Sequence, residues 1–243
     1  MDLQTYLLRR QHLATTAPVY RDMCRHCTQP KFSCYCAETQ TIDAKINFVI
    51  LIHPIEVKRR IATGRMSHLC LQNSFLIKGQ DYTKNSLVNK LVTDTDFHSV
   101  ILYPGLKSEN LSKMSDDEKL ALTPNGKKLR IFVVDGTWAT ARRMVRQSEN
   151  LNKLPRICFT PSKPSNFRVR KQPRPDCYST IEAIHETIEL LGTSQEFPVN
   201  DRKHDNLLKV FDSMVERQLE FIKESNANPR VATYRREGQK KSA

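Results

Sequence analysis

Residues 46–53 read INFVILIH, an apolar run interrupted only by Asn47 and closed by His53. It shows no polar–apolar alternation, so it reads as a strand buried on both faces, the kind found inside parallel sheets. Three further segments repeat the pattern: SVILY at 99–103, RIFVV at 130–134 and the shorter RICF at 156–159. Residues 87–92 fit either a strand or a helix end. Helical stretches fall between the strands, at roughly 55–77, 109–122 and 137–150. Buried strands alternating with helices predict an α/β domain, with a mostly parallel sheet and flanking helices. Beyond the last strand, Ile181, Ile184, Ile188 and Leu191 recur at helical spacing, as do Leu207, Phe211, Met214, Val215 and Ile222.

The chain has 243 residues, 39% of them hydrophobic, with 39 Lys+Arg against 26 Asp+Glu and a formal net charge of +13. That length holds one large domain with a small appendage. The expected division is an N-terminal helix and cysteine cluster over 1–45, the sheet domain over 46–225 and a basic tail over 226–243. No apolar run approaches the roughly 18–20 residues of a membrane span. At the N-terminus Arg9 and Arg10 follow the apolar residues, the reverse of a secretion signal. The expectation is a cytoplasmic protein without membrane association and without an evident obligate protein partner. Positive charge spread over a whole domain points to a polyanion. With 7 Gly and neither G-x-G-x-x-G nor G-x-x-x-x-G-K-[ST], the glycine-rich dinucleotide and triphosphate loops are excluded.

Four of the seven cysteines lie close together, as Cys24, Cys27, Cys34 and Cys36. An odd total without a secretion signal disfavours a disulfide framework. Four thiolates at C-x2-C-x6-C-x-C spacing suit one tetrahedral Zn²⁺ in a closed structural site. Reduced surface thiols or a redox C-x-x-C are the other readings, and no strand precedes the motif as a redox βα unit requires.

Three polar strings sit at predicted strand ends, where open parallel sheets bind ligands. The first is His53-Pro54-x-Glu56-x-x-Arg59-Arg60-x-x-Thr63-Gly64-Arg65. Gly64 in a helical pattern suggests a close approach or a break, while Glu56 and Arg60 fit an i,i+4 surface pair. The second is Asp135-Gly136-Thr137-Trp138 with Ala141 and Arg142 behind it. Asp135 or Thr137 fits a helix N-cap, with Trp138 on the buried helix face; a carboxylate at a sheet mouth also fits a base or a cation holder. The third, Ser179-Thr180-Ile181-Glu182-Ala183, fits a capping box and follows a proline-rich loop carrying Lys163, Arg168, Arg170, Lys171 and Arg174. A helix N-terminus beneath basic residues suits an anion, with Phe167 and Tyr178 available to stack on a base. His68, His98, His185 and His204 show no metal-ligand spacing.

Taken together, C-x2-C-x2-P-x3-C-x-C, H-P-x-E-x-x-R, L-Y-P-G, D-x-T-W-x-x-A-R and S-T-I-E-A resemble, in order and spacing, the DTW-domain proteins, and within them the bacterial tRNA-uridine aminocarboxypropyltransferases. The resemblance covers about residues 22–192. One departure is Ala62-Thr63-Gly64, where the family usually reads Asn-Thr-Gly. The resemblance implies a SPOUT-like sheet, a class that includes trefoil-knotted chains, although no knot follows from the sequence pattern. It implies transfer of the 3-amino-3-carboxypropyl group of S-adenosylmethionine to N3 of a tRNA uridine, with release of methylthioadenosine. By it, Thr63, Leu102, Tyr103, Pro104, Gly105, Thr137, Trp138, Ser179, Thr180 and Ala183 are expected to hold S-adenosylmethionine. Asp135 is expected to act as or orient the base, with Arg142 stabilising the uridine oxyanion or steering RNA. Arg59, Arg65, Arg168, Arg170, Lys171 and Arg174 are the expected tRNA contacts, and Cys24, Cys27, Cys34 and Cys36 the ligands of a structural zinc. The competing functions are an S-adenosylmethionine-dependent RNA methyltransferase and a non-catalytic zinc-containing RNA-binding protein.

Overall fold

Strand β1 (Asn47–Ile52) is buried along nearly its whole length, and the sheet is built around it. In this computed structural model, which describes residues 2–7, 22–170, 172–174 and 176–227, β1 lies between β2 (Ser74–Lys78) and β5 (Lys128–Asp135). The sheet continues through β3 (Phe97–Leu102), β6 (Arg156–Cys158) and β4 (Glu109–Asn110), in the order β2-β1-β5-β3-β6-β4. Every pairing is parallel.

The unbroken apolar runs are explained by two cores, one on each face. Phe48 and Ile50 of β1, with Leu129, Ile131 and Val133 of β5, pack on one side. Helices α2 (Thr63–Cys70), α7 (Thr180–Leu191) and α8 (Asp205–Ala227) cover that side through Met66, Cys70, Ile181, Ile184, Leu207 and Phe211. Val49 and Leu51, with Ile101 and Phe132, face the other side. There α3 (Ser86–Val92), α5 (Trp138–Gln147) and α6 (Glu149–Asn152) contribute Val88, Leu91, Met144, Val145 and Leu151. Alternate residues of one strand therefore enter different cores, which removes any need for a polar face.

Residues 55–77 are not one helix. A single turn, α1 (Pro54–Val57), is followed by α2, and the chain then extends into edge strand β2. Residues 74–78 are only half-buried, and their short apolar stretch fits helix and strand periods alike. Parallel pairing of Phe48–Ile52 with Ser74–Lys78 decides for strand. Residues 87–92 are helical, because the Asn85 side chain accepts from Val88 N and caps α3. Within 109–122 only α4 (Asp116–Ala121) is α-helical, opened by a Ser115–Glu118 capping box.

The cysteine segment does not stand apart from the sheet domain. Cys27 and Tyr35 belong to the same buried cluster as Phe48 and Phe211. Most of the expected N-terminal helix lies outside the described residues, as does the tail from 228 onward; residues 3–7 are helical. Among the described residues no helix is long and apolar enough to cross a membrane.

Candidate active site

The register places Ile52 beside Asp135 and Leu102 beside Val133, so β1, β3 and β5 end together. A cavity of about 310 Å³ opens beyond those ends. Its wall includes Thr63, Leu102, Tyr103, Pro104, Asp135, Thr137, Trp138, Ser179, Thr180 and Ala183. Gly105 is not on that wall; a β-carbon there would lie 3.1 Å from the Arg156 guanidinium. Cys158 and Phe159 also line the cavity. They were legible in principle, because Cys158 ends β6 and Phe159 follows it, and open parallel sheets bind ligands at strand ends.

Asp135 is the last residue of β5 and is buried. It does not cap α5. Thr137 does, its hydroxyl accepting from Thr140 N at 3.1 Å. Asp135 instead sits beside the first turns of two other helices. Its Oδ1 accepts from the Thr180 hydroxyl at 2.6 Å, while its Oδ2 is buried with no hydrogen-bond partner. Burial pushes its pKa up to about 6, and the Glu56 carboxylate adds to that, while the Thr180 hydroxyl, the Arg170 guanidinium and the approaching Gly64 backbone N–H oppose it. Burial outweighs these stabilising groups, and a desolvated carboxylate of this kind is a stronger base than usual.

Gly64 explains how Oδ2 fits. A β-carbon at 64 would stand 2.6 Å from Oδ2 and 2.7 Å from the carboxyl carbon. The glycine marks a close approach, and α2 does not break there. At Ala62 the helix N-cap carries no side-chain hydrogen bond, so the departure from Asn-Thr-Gly leaves this end uncapped. Gly64→Ala should therefore fold yet displace the carboxylate, lowering any Asp135-dependent rate by about two orders of magnitude. A crystal structure of the variant with Asp135 unmoved would contradict this account.

The remaining polar residues are largely spoken for. Trp138 is 37% exposed at the cavity rim; the buried face of α5 is Ala141, Met144 and Val145. Glu182 Oε2 accepts from Ser179 N and Oγ, completing the capping box. It also receives Ser165 Oγ, and Oε1 receives Asn166 N, which ties the proline-rich loop to α7. Glu56 does not pair with Arg60: it is buried and takes two hydrogen bonds from Arg170, at 2.9 and 3.2 Å, with Arg59 at 3.6 Å. His53 Nδ1 accepts from Ile55 N and caps α1.

The expected tRNA-contacting cations are dispersed by the fold. Arg65 is buried and donates to Thr28 Oγ1 and the Val57 carbonyl, each at 2.6 Å. Arg168 pairs with Glu216 on α8. Arg174 pairs with Asp176 at 3.0 Å and, like Arg170, lines the cavity. Lys171 lies outside the described residues. Arg142 is exposed on α5 and is not part of the wall.

The cysteine cluster closes on itself. Cys24 and Cys36 bring their sulfurs to 3.7 Å, and Cys27 and Cys34 to 3.6 Å. All four sulfurs lie within 4.8 Å of one another. Four thiolates around an ion at about 2.3 Å per bond stand roughly 3.8 Å apart, so the donor set fits one tetrahedral metal ion. A second grouping shows in no sequence spacing: His185 and His204 stack at 4.7 Å, with Asp205 and Glu189 as their partners. Arg202 bridges the two acids.

The DTW domain model matches residues 21–219. The chain is similar to tRNA-uridine aminocarboxypropyltransferase 2 of Drosophila melanogaster, 24% identical over 76% of this chain and 72% of that one. It is similar to the Mus musculus protein of the same name, 26% identical over 70% of this chain and 57% of the other. With tRNA-uridine aminocarboxypropyltransferase A of Arabidopsis thaliana it shares 24% identity over 90% of this chain and 89% of that one. No solved structure matches. The five motifs, three of which contribute residues to the strand-end cavity, and a family match over most of the chain agree, and the chain belongs to the DTW domain family.

Proposed function

We propose that this protein is an S-adenosylmethionine-dependent transferase that places the 3-amino-3-carboxypropyl group on N3 of a uridine in cytoplasmic tRNA. The observation that carries the reading is Asp135: one carboxylate oxygen fixed by Thr180, the other buried and unpartnered at the cavity. Neutral uridine N3 has no free nucleophilic pair, so its proton must leave as the bond forms. Asp135 takes that proton, and the N3 pair attacks the sulfonium-bound carbon of the methionine chain. The carbon–sulfur bond breaks with its electrons moving to sulfur, and methylthioadenosine departs.

Three carbons of the sulfonium are electrophilic, so the product is set by which one faces the nucleophile. The wall residues from Thr63 to Ala183 hold the donor in this reading. Its apolar part, Leu102, Val133 and Phe159, suits the adenosine and methyl groups, leaving the methionine chain toward Asp135. Trp138 and Tyr103 offer aromatic faces for stacking. Arg170, anchored on Glu56, acts as a positioning residue that holds the loop over the cavity. The four cysteines hold Zn²⁺ in a structural role.

Mass spectrometry of nucleosides and small molecules after incubation with S-adenosylmethionine and unmodified tRNA tests the proposal. The expected result is aminocarboxypropyl-uridine with an equal amount of methylthioadenosine. S-Adenosylhomocysteine and a methylated nucleoside would make the protein a methyltransferase. Formation of neither product would leave a binding protein.

A further inference from the structure

If the protein acts on tRNA, its charge must meet phosphates somewhere, and three arginines of the most basic segment already have acidic partners. Arg168 is paired with Glu216, Arg170 with the buried Glu56 and Arg174 with Asp176. Each would have to give up an acidic partner to reach a phosphate. Helix α5 is different. Arg142, Arg143 and Arg146 are all exposed, and among the described residues none of their guanidinium groups has a hydrogen bond or an ion pair.

Their placement follows from helical geometry. At 100° per residue, positions 142, 143 and 146 fall within an arc of about 100°, opposite the face where Ala141, Met144 and Val145 enter the core. Ala139 shares that arc and is too small to screen them. Trp138, Arg142 and Arg146 also form an i, i+4, i+8 row, each step rising about 6 Å along the helix. The row begins at Trp138, on the cavity rim, and runs outward along α5. Like charges at i,i+4 oppose helix formation, so local stability does not account for the pair Arg142 and Arg146. Arg146 alone gains from the helix C-terminus.

We infer that the exposed face of α5, through Arg142, Arg143 and Arg146, is the surface on which tRNA phosphates dock and from which the target uridine enters the cavity past Trp138. This deepens the proposed function and rests on it. A membrane surface fits worse, because an interfacial helix buries its apolar face in lipid and the apolar face of α5 is already used by the sheet. Arg170 and Arg174 of the proline-rich loop then shape the cavity and contribute little to the ionic part of binding.

The test uses the full chain and a labelled tRNA, with binding followed by fluorescence anisotropy across a salt series and no S-adenosylmethionine present. Arg143→Gln with Arg146→Gln changes two exposed side chains and leaves Arg142 in place; Arg168→Gln with Arg174→Gln is the comparison. Each lost phosphate contact should reduce the slope of log K against log salt by about 1, so the α5 variant should lose about 2. The loop variant should lose less than about half of that. In transfer assays the α5 variant should show a raised KM for tRNA with kcat kept. Equal melting curves confirm that both variants fold. Wild-type slope in the α5 variant, while wild-type protein binds and modifies tRNA, would overturn the docking surface and leave the function standing. Failure of the wild-type protein to bind or modify tRNA would remove the function, and this inference with it.

Discussion

Asp135→Asn should yield a folded protein that melts above the wild type at pH 8 and transfers the aminocarboxypropyl group at least about 100-fold more slowly, the scale of a lost general base. The stability half follows from linkage. Burial holds the carboxyl at about 6, above its ordinary 3.8, so between those values the folded state binds more protons than the unfolded one. Stability from this group is present at low pH and is lost as pH rises through about 6. Above pH 7 the full cost of a buried charge applies, up to about 3 kcal/mol at ~1.4 kcal/mol per pKa unit. Asn removes that cost and can still accept from Thr180, but its amide N–H₂ inherits the unpartnered place of Oδ2, which returns about 1–2 kcal/mol. The net gain at pH 8 is about 1–2 kcal/mol, a few degrees in Tm. Near pH 4.5 the wild-type carboxyl is mostly protonated, and the two melting temperatures should converge. In the wild type, kcat/KM should rise with pH through about 6 as the base ionises. Unchanged turnover in the variant at saturating substrates would remove Asp135 from the chemistry.

That cost also explains why the site was only half legible. A strand ending in Asp-Gly-Thr-Trp before a helix places an acid at the sheet mouth from sequence alone. It does not separate a cap from a base, since both want an acid at that position. What separates them is contact across the chain: Gly64 from α2 leaves room for Oδ2, and Thr180 from α7 holds Oδ1. Such partners are joined by the sheet order, in which β5 inserts between β1 and β3, and no local period encodes that order.

The same limit governs the strands and the charges. Strands β1 and β5 declared themselves because burial on both faces leaves an unbroken apolar run. Edge strand β2 is half-buried and five residues long, so its pattern was compatible with a helix until pairing chose. Positive charge was countable, but pairing was not. Arg65 stands in a polar string and turns inward to Thr28, whereas Arg143 and Arg146, in no conspicuous motif, are the exposed ones. His185 and His204 stack across 19 positions of sequence with no spacing to announce it.

Removing the metal should have the second large effect, and it should reach beyond the cysteines. Reduced protein should carry one zinc per chain. Cys27→Ser should abolish that, while Cys70→Ser, buried but outside the cluster, should leave it intact. Cys27 is 0% exposed and shares the main core with Tyr35, so the knuckle cannot loosen without opening that core. Arg65 ties Thr28 to the Val57 carbonyl, and Gln29 donates to the Arg60 carbonyl. These bonds seat the segment that leads into Thr63 and Gly64, and hence the wall against Asp135. At the far end, Arg217 of α8 donates to the Cys34 carbonyl at 3.3 Å and pairs with Glu38. Zinc binding contributes about 10–16 kcal/mol to isolated fingers. In a domain with its own core only part of that is expressed, and a loss of about 2–4 kcal/mol corresponds to a Tm lower by roughly 5–10 °C. Hydrogen exchange should accelerate in residues 22–38 and in the first turn of α2, while β1 and β5 stay protected. Metal-depleted, fully reduced protein with unchanged melting and unchanged exchange in α2 would show that the cluster neither needs zinc nor supports the cavity wall.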